Sequence, residues 1–166
     1  MILEAEPLTE EFLKQIESYL NENFFDTSGI KYSMDCSGSR SRIQTLLDKI
    51  FGRFKQTFPE YLLEYIAQRG LNEVDVYKKA HLDRRMLSKL RNERDYMPSE
   101  RTLWAVALAM ELNLDEALEI LHKAGFTLST HSKEDLIIKF FFENKIYDIF
   151  LLNETLDHYG FKPLGG

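Results

Sequence analysis

A single cysteine, Cys36, stands in 166 residues, so no disulfide can form within the chain and a reducing, cytoplasmic setting is expected. No stretch approaches the ~20 consecutive apolar residues of a membrane span, and no charged-then-apolar leader opens the chain. No membrane partner is expected. Patterns that carry chemistry are equally scarce. The four histidines, His81, His122, His131 and His158, form no i, i+4 pair, and none stands near Cys36 at a ligand spacing, so neither a metal nor another cofactor is signalled. There is no phosphate-cradling glycine loop and no serine in a nucleophile-elbow context. The carboxylate pairs Glu10-Glu11 and Asp115-Glu116 are explained by helix starts. These absences argue against an enzyme.

What is present is charge and helical periodicity. With 21 basic and 27 acidic residues the net charge is −6, the wrong sign for a protein whose whole surface meets nucleic acid. One segment differs. From Lys78 to Arg101 eight basic residues face four acidic ones, a local excess of four positive charges. The plainer fate of such a run is a solvated face.

The length allows a proper core and predicts one compact body rather than two independent domains. Within it three regions follow: an N-terminal helical extension over 1–55, a central unit over 56–125, and a C-terminal helical extension over 126–166. Residues 9–25 place Phe12, Ile16, Tyr19 and Leu20 at helical spacing behind a Thr9 cap. Residues 26–42 carry the glycines and serines of a loop, and helical spacing returns over 43–54. Pro59 opens a helix with Tyr61, Leu62, Tyr65 and Ile66 on its inner face, ended at Gly70. Asn72 and Asp83 cap the next two. In the second of these Leu87 and Leu90 form the inner stripe, while Arg84, Arg85, Ser88, Lys89 and Arg91 point away from it.

From Tyr61 to Ala117 the chain resembles the lambda-repressor-like helix-turn-helix domain of the XRE family. The matching residues are Val76 and Ala80, Leu82-Asp83, Leu87-Ser88-Lys89-Leu90, Pro98-Ser99, Thr102-Leu103, Val106-Ala107, Met110 and Leu114-Asp115-Glu116. The resemblance implies an all-α fold, a five-helix core wrapped here by extra N- and C-terminal helices. It also implies that the helix over 83–92 enters the major groove of double-stranded DNA, as in a sequence-specific transcriptional regulator. Arg84, Arg85, Ser88 and Lys89 would then meet base edges. Lys78, Lys79, Arg91, Asn92 and Arg94 would meet phosphates, and Tyr96 would either pack beside the DNA backbone or hold the turn at Pro98. Three positions depart from the family pattern. Glu73 stands where Gln usually reaches a phosphate, Tyr77 where a small residue lets two helices approach, and His81 where Gly often makes the turn.

The segment Leu103 to Met110, LWAVALAM, is apolar all round, and such a helix must be covered on every side. Leu136, Ile137, Phe140, Phe141, Ile146, Ile149, Phe150 and Leu151 supply two further helices, 133–143 and 146–159, the latter with a break near Asn153. They serve either as the lid over 103–110 or, with that helix, as a homodimer surface. The net acidity, Glu73, Tyr77 and the aromatic C-terminal region also suit a different class. This is a non-enzymatic module, an adaptor or inhibitor with a protein partner, that keeps the scaffold without binding DNA.

Overall fold

The computed structural model describes residues 8–24 and 56–165; the loop expected over 26–42 and the helix over 43–54 lie outside them. Eight helices and no strand occur among the described residues, which makes the chain all-α. In chain order they are α1 (Glu10–Asn23), α2 (Phe58–Gln68), α3 (Glu73–Lys79), α4 (Arg84–Asn92), α5 (Glu100–Ala109), α6 (Leu114–Ala124), α7 (Lys133–Glu143) and α8 (Ile149–His158).

Polar side chains set the starts, because the first N–H groups of a helix have no partner within it. Thr9 accepts from Phe12 N at 3.2 Å, Asn72 from Val74 N at 2.8 Å, and Asp83 from Arg85 N at 2.9 Å. Ahead of α6, Asn113 and Glu116 cap each other reciprocally at 2.9 and 3.0 Å. The last helix begins three residues later than its apolar pattern suggests. Asp148, not an earlier residue, takes the N–H groups of Phe150 and Leu151. Nor does α8 break at Asn153. That side chain exchanges hydrogen bonds of 2.7 and 3.2 Å with the backbone of Leu164 and so pins the tail.

The core centres on α5. Every residue from Leu103 to Met110 is buried, Trp104 to 1% exposure. Helices α3, α6 and α8 pack around it, and Phe142 of α7 lies against Trp104 with ring centroids 5.3 Å apart. The apolar helix is therefore enclosed within one chain, the first of its two expected fates: the side chains of 103–110 are spent on intramolecular burial and offer no exposed surface for a homodimer. The C-terminal helices do the same with most of their apolar residues, and Phe150 is the one large hydrophobic side chain of theirs left exposed. On the far side of α7, α1 docks through Ile16 and Leu20. Phe12 and Tyr19 meet Phe140 edge-on at 6.1 and 5.2 Å, and the Tyr19 hydroxyl donates to Glu143 at 2.7 Å.

Several helices end on a left-handed residue, with the following N–H reaching back over the last turn. Gly70, Gly125 and Gly160 fill this place in α2, α6 and α8, but His81, Glu111 and Lys145 fill it after α3, α5 and α7, with φ of 52°, 53° and 56°. A side chain there costs about 1–2 kcal/mol relative to right-handed backbone, partly offset because glycine loosens the unfolded chain. Lys145 makes no ion pair among the described residues, so Lys145→Gly isolates the backbone effect. It is expected to stabilise by about 0.5–1 kcal/mol, raising the melting midpoint by about 2–4 °C per kcal/mol for a chain of this size. A lowered midpoint in a thermal melt would contradict the strain.

Candidate functional site

The candidate surface is made where α3 and α4 meet. Val76 of α3, Ala80 just past its end, and Leu87 and Leu90 of α4 are buried, which fixes the two helices against the core by one face each. The link between them is tight. His81 takes the left-handed angle, as its place in the turn demands, and Leu82 N closes onto Tyr77 O at 3.0 Å. With the inner stripes fixed, the 3.6-residue period turns the charged side chains of both helices outward.

Arg84, Arg85, Ser88 and Lys89 all lie exposed along α4. Lys78 and Lys79 are exposed at the end of α3, Arg91 and Asn92 at the end of α4, and Arg94 in the turn after it. The fold thus gathers all nine candidate residues on or beside two adjoining helices, yet they are not equally free. Arg91 is held by Glu73, with Nε donating to Oε1 at 2.8 Å and a second bond from the guanidinium. That carboxylate holds the Arg91 guanidinium above its ordinary pKa through the hydrogen bond first and its charge second. Lys79 pairs with Glu111. The Asn92 amide donates to Ser88 O at 2.8 Å and to the Ser88 hydroxyl at 3.3 Å, so these two side chains are preoccupied with each other.

The remaining cations stand more open. Arg85 has 90% of its side chain exposed, with only Asp83 at 4.0 Å. Lys89 places its ammonium 5.5 Å from the centre of the Tyr96 ring, an arrangement that steadies a lysine without neutralising it. Tyr96 packs half-buried against the core, and burial followed by the Glu93 charge raises its hydroxyl pKa. It orients Lys89 as well as holding its own turn. Arg84, Lys78 and Arg94 form no ion pair among the described residues.

Two features escaped the sequence. Glu73 is not simply an acidic residue facing a phosphate site, since it spends its charge on Arg91 across 18 residues of chain. Tyr77 lines a cavity of 240 Å³ between α3 and α4 whose other walls come from Val74, Leu87, Arg84, Ser88, Arg91 and Asn92. The only signal was spacing: residues 74 and 77 share one side of α3, and 84, 88 and 91 one side of α4. A second cavity, of 530 Å³, lies on the other side of the turn. His81, Glu111 and Lys145 all border it, together with Phe150, whose ring meets His81 at 4.5 Å.

Among the described residues no helix is long and apolar enough to cross a membrane, and no group of three or more histidine, cysteine or carboxylate side chains could hold a metal ion. No family model, curated protein or solved structure matches the chain.

Proposed function

We propose that the protein binds double-stranded DNA and reads its sequence with α4, acting as a transcriptional regulator of the XRE, lambda-repressor-like kind. The observation that carries this reading is the outward stripe of α4, where Arg84, Arg85 and Lys89 are exposed beside the equally exposed Lys78 and Arg94. A net-acidic chain that concentrates cations on one short helix and its neighbours has the charge pattern of a localised phosphate-binding face. In the proposed complex α4 lies in the major groove, with Arg84, Arg85, Ser88 and Lys89 at base edges and Lys78, Lys79, Arg91, Asn92 and Arg94 along the backbone. The test is binding to random genomic duplex fragments across a salt series, with the recovered fragments sequenced. An enriched two-fold motif and an affinity that falls steeply with salt support the reading; absence of binding at low salt removes it.

A second reading is a protein-interaction module on the same scaffold, favoured by the Glu73–Arg91 and Lys79–Glu111 pairs, which cancel two of the cations. The pairs themselves allow a discriminating measurement. Exposed ion pairs contribute only about 0–1 kcal/mol, so a phosphate can compete for Arg91, but Glu73 remains as a repelling charge. Glu73→Gln is expected to tighten DNA binding about tenfold at low salt, the scale of one hydrogen bond to a charged group. It should also steepen the salt dependence by about 0.9 in log–log slope, the share of one phosphate contact. Titrations showing no change in slope would mean that Arg91 does not reach the backbone.

A further inference from the structure

We infer that the cavity between α3 and α4 is a slot for a single unpaired nucleobase, so that the protein prefers a duplex carrying an extrahelical base over one that is fully paired. This rests on the reading of α4 as a nucleic-acid-binding helix. The cavity measures 240 Å³, below the roughly 300–1,000 Å³ of pockets that enclose a whole drug-sized ligand, which suits one ring system rather than a complete nucleotide. Its walls are of two kinds. Val74 and Leu87 contribute apolar walls and Tyr77 an aromatic one, while Arg84, Arg91, Ser88 and Asn92 contribute polar ones.

That combination narrows the guest. A phosphate would gain from the arginines but lose its hydration against the apolar walls, and an aliphatic side chain would leave the polar walls unused. A flat heteroaromatic ring uses both: its face stacks on Tyr77, and its edge meets hydrogen-bonding groups. The polar walls also offer both hydrogen-bonding senses. Arg84 has no ionic partner among the described residues, and its guanidinium can only donate. Asn92 uses its amide nitrogen on Ser88, which leaves its carbonyl oxygen to accept. The slot is flanked by residues of the exposed α4 stripe, so a strand lying along α4 passes its mouth.

The experiment compares three duplexes of one sequence: fully paired, with a one-base bulge, and with the bulged base replaced by 2-aminopurine. The bulged duplex is expected to bind about 5–150-fold tighter than the paired one, the range of one base stacked on an aromatic side chain. The 2-aminopurine emission should be quenched on binding. Tyr77→Ala should lose both the preference and the quenching, whereas Tyr77→Phe, which keeps the ring, should retain them. Equal affinity for paired and bulged duplexes overturns the slot while leaving DNA binding intact. A bulge preference that survives Tyr77→Ala also overturns it. Absence of binding to all three duplexes overturns the slot and the DNA-binding reading together.

Discussion

Replacing Trp104 by alanine is expected to lower the unfolding free energy by about 3–5 kcal/mol, the range for removing a buried tryptophan or phenylalanine from a core. Against a total of about 5–15 kcal/mol for a domain, that is enough to leave a substantial unfolded population on mild warming. The size follows from where the side chain sits. Trp104 is 1% exposed, it packs on Phe142 across to α7, and it lies in the helix that every neighbouring element closes upon. Its removal opens a cavity that α5 cannot close by itself, because Leu103, Ala105 and Val106 are already packed on their own sides. Denaturant unfolding followed by circular dichroism measures the loss. Trp104 is also the sole tryptophan of the chain, so iodide quenching of the unmodified protein tests the same burial directly. A loss under about 1 kcal/mol, or ready quenching, would mean that α7 and α8 do not cover α5 in solution and that the helix is open to a second subunit.

The triple substitution Arg84→Ala, Arg85→Ala, Lys89→Ala is expected to reduce binding to a selected site to the level of random DNA. Each well-placed arginine or lysine on a guanine edge discriminates by about 1–3 kcal/mol. The gap between specific and non-specific affinity is typically 10³–10⁷-fold, and three such contacts span its lower part. The salt dependence retained by the variant would come from Lys78, Lys79, Arg91 and Arg94. Stability provides the control: all three side chains are exposed, and exposed charges contribute little to folding. Gel-shift titrations on the site recovered from genomic fragments, alongside a melt of the variant, give the answer. Unchanged affinity with an intact fold would transfer the reading to the protein-interaction module.

Much of the fold was legible in the sequence because the relevant physics is local. A cap and the N–H it satisfies are two or three residues apart, as for Asn72 with Val74 and Asp83 with Arg85. The buried stripe of α4, Leu87 and Leu90, repeats within one turn. Helix α7 accordingly spans Lys133–Glu143, the range that its apolar spacing predicts. The start of α8 was harder, since Ile146 continues the apolar pattern but precedes the residue that caps the helix. At His81 the resemblance marked a turn position that glycine often fills, and the structure decided that the histidine takes the left-handed angle itself, with φ of 52°.

By itself, then, the sequence determined an all-α chain, the bounds of most of its helices, and the exposure of one basic helix face, because each depends on contacts within about four residues. Only the tertiary structure decided what encloses α5, since whether α7 and α8 fold back or meet another chain depends on packing between elements far apart in sequence. It alone decided which cations stay free. Arg91 meets Glu73 across 18 residues and Lys79 meets Glu111 across 32, and no periodicity encodes such pairs. The slot beside Tyr77 belongs to the same class. Its walls come from two helices whose separation is set by the side chains beneath them, so its volume exists only once Val76, Ala80, Leu87 and Leu90 are packed.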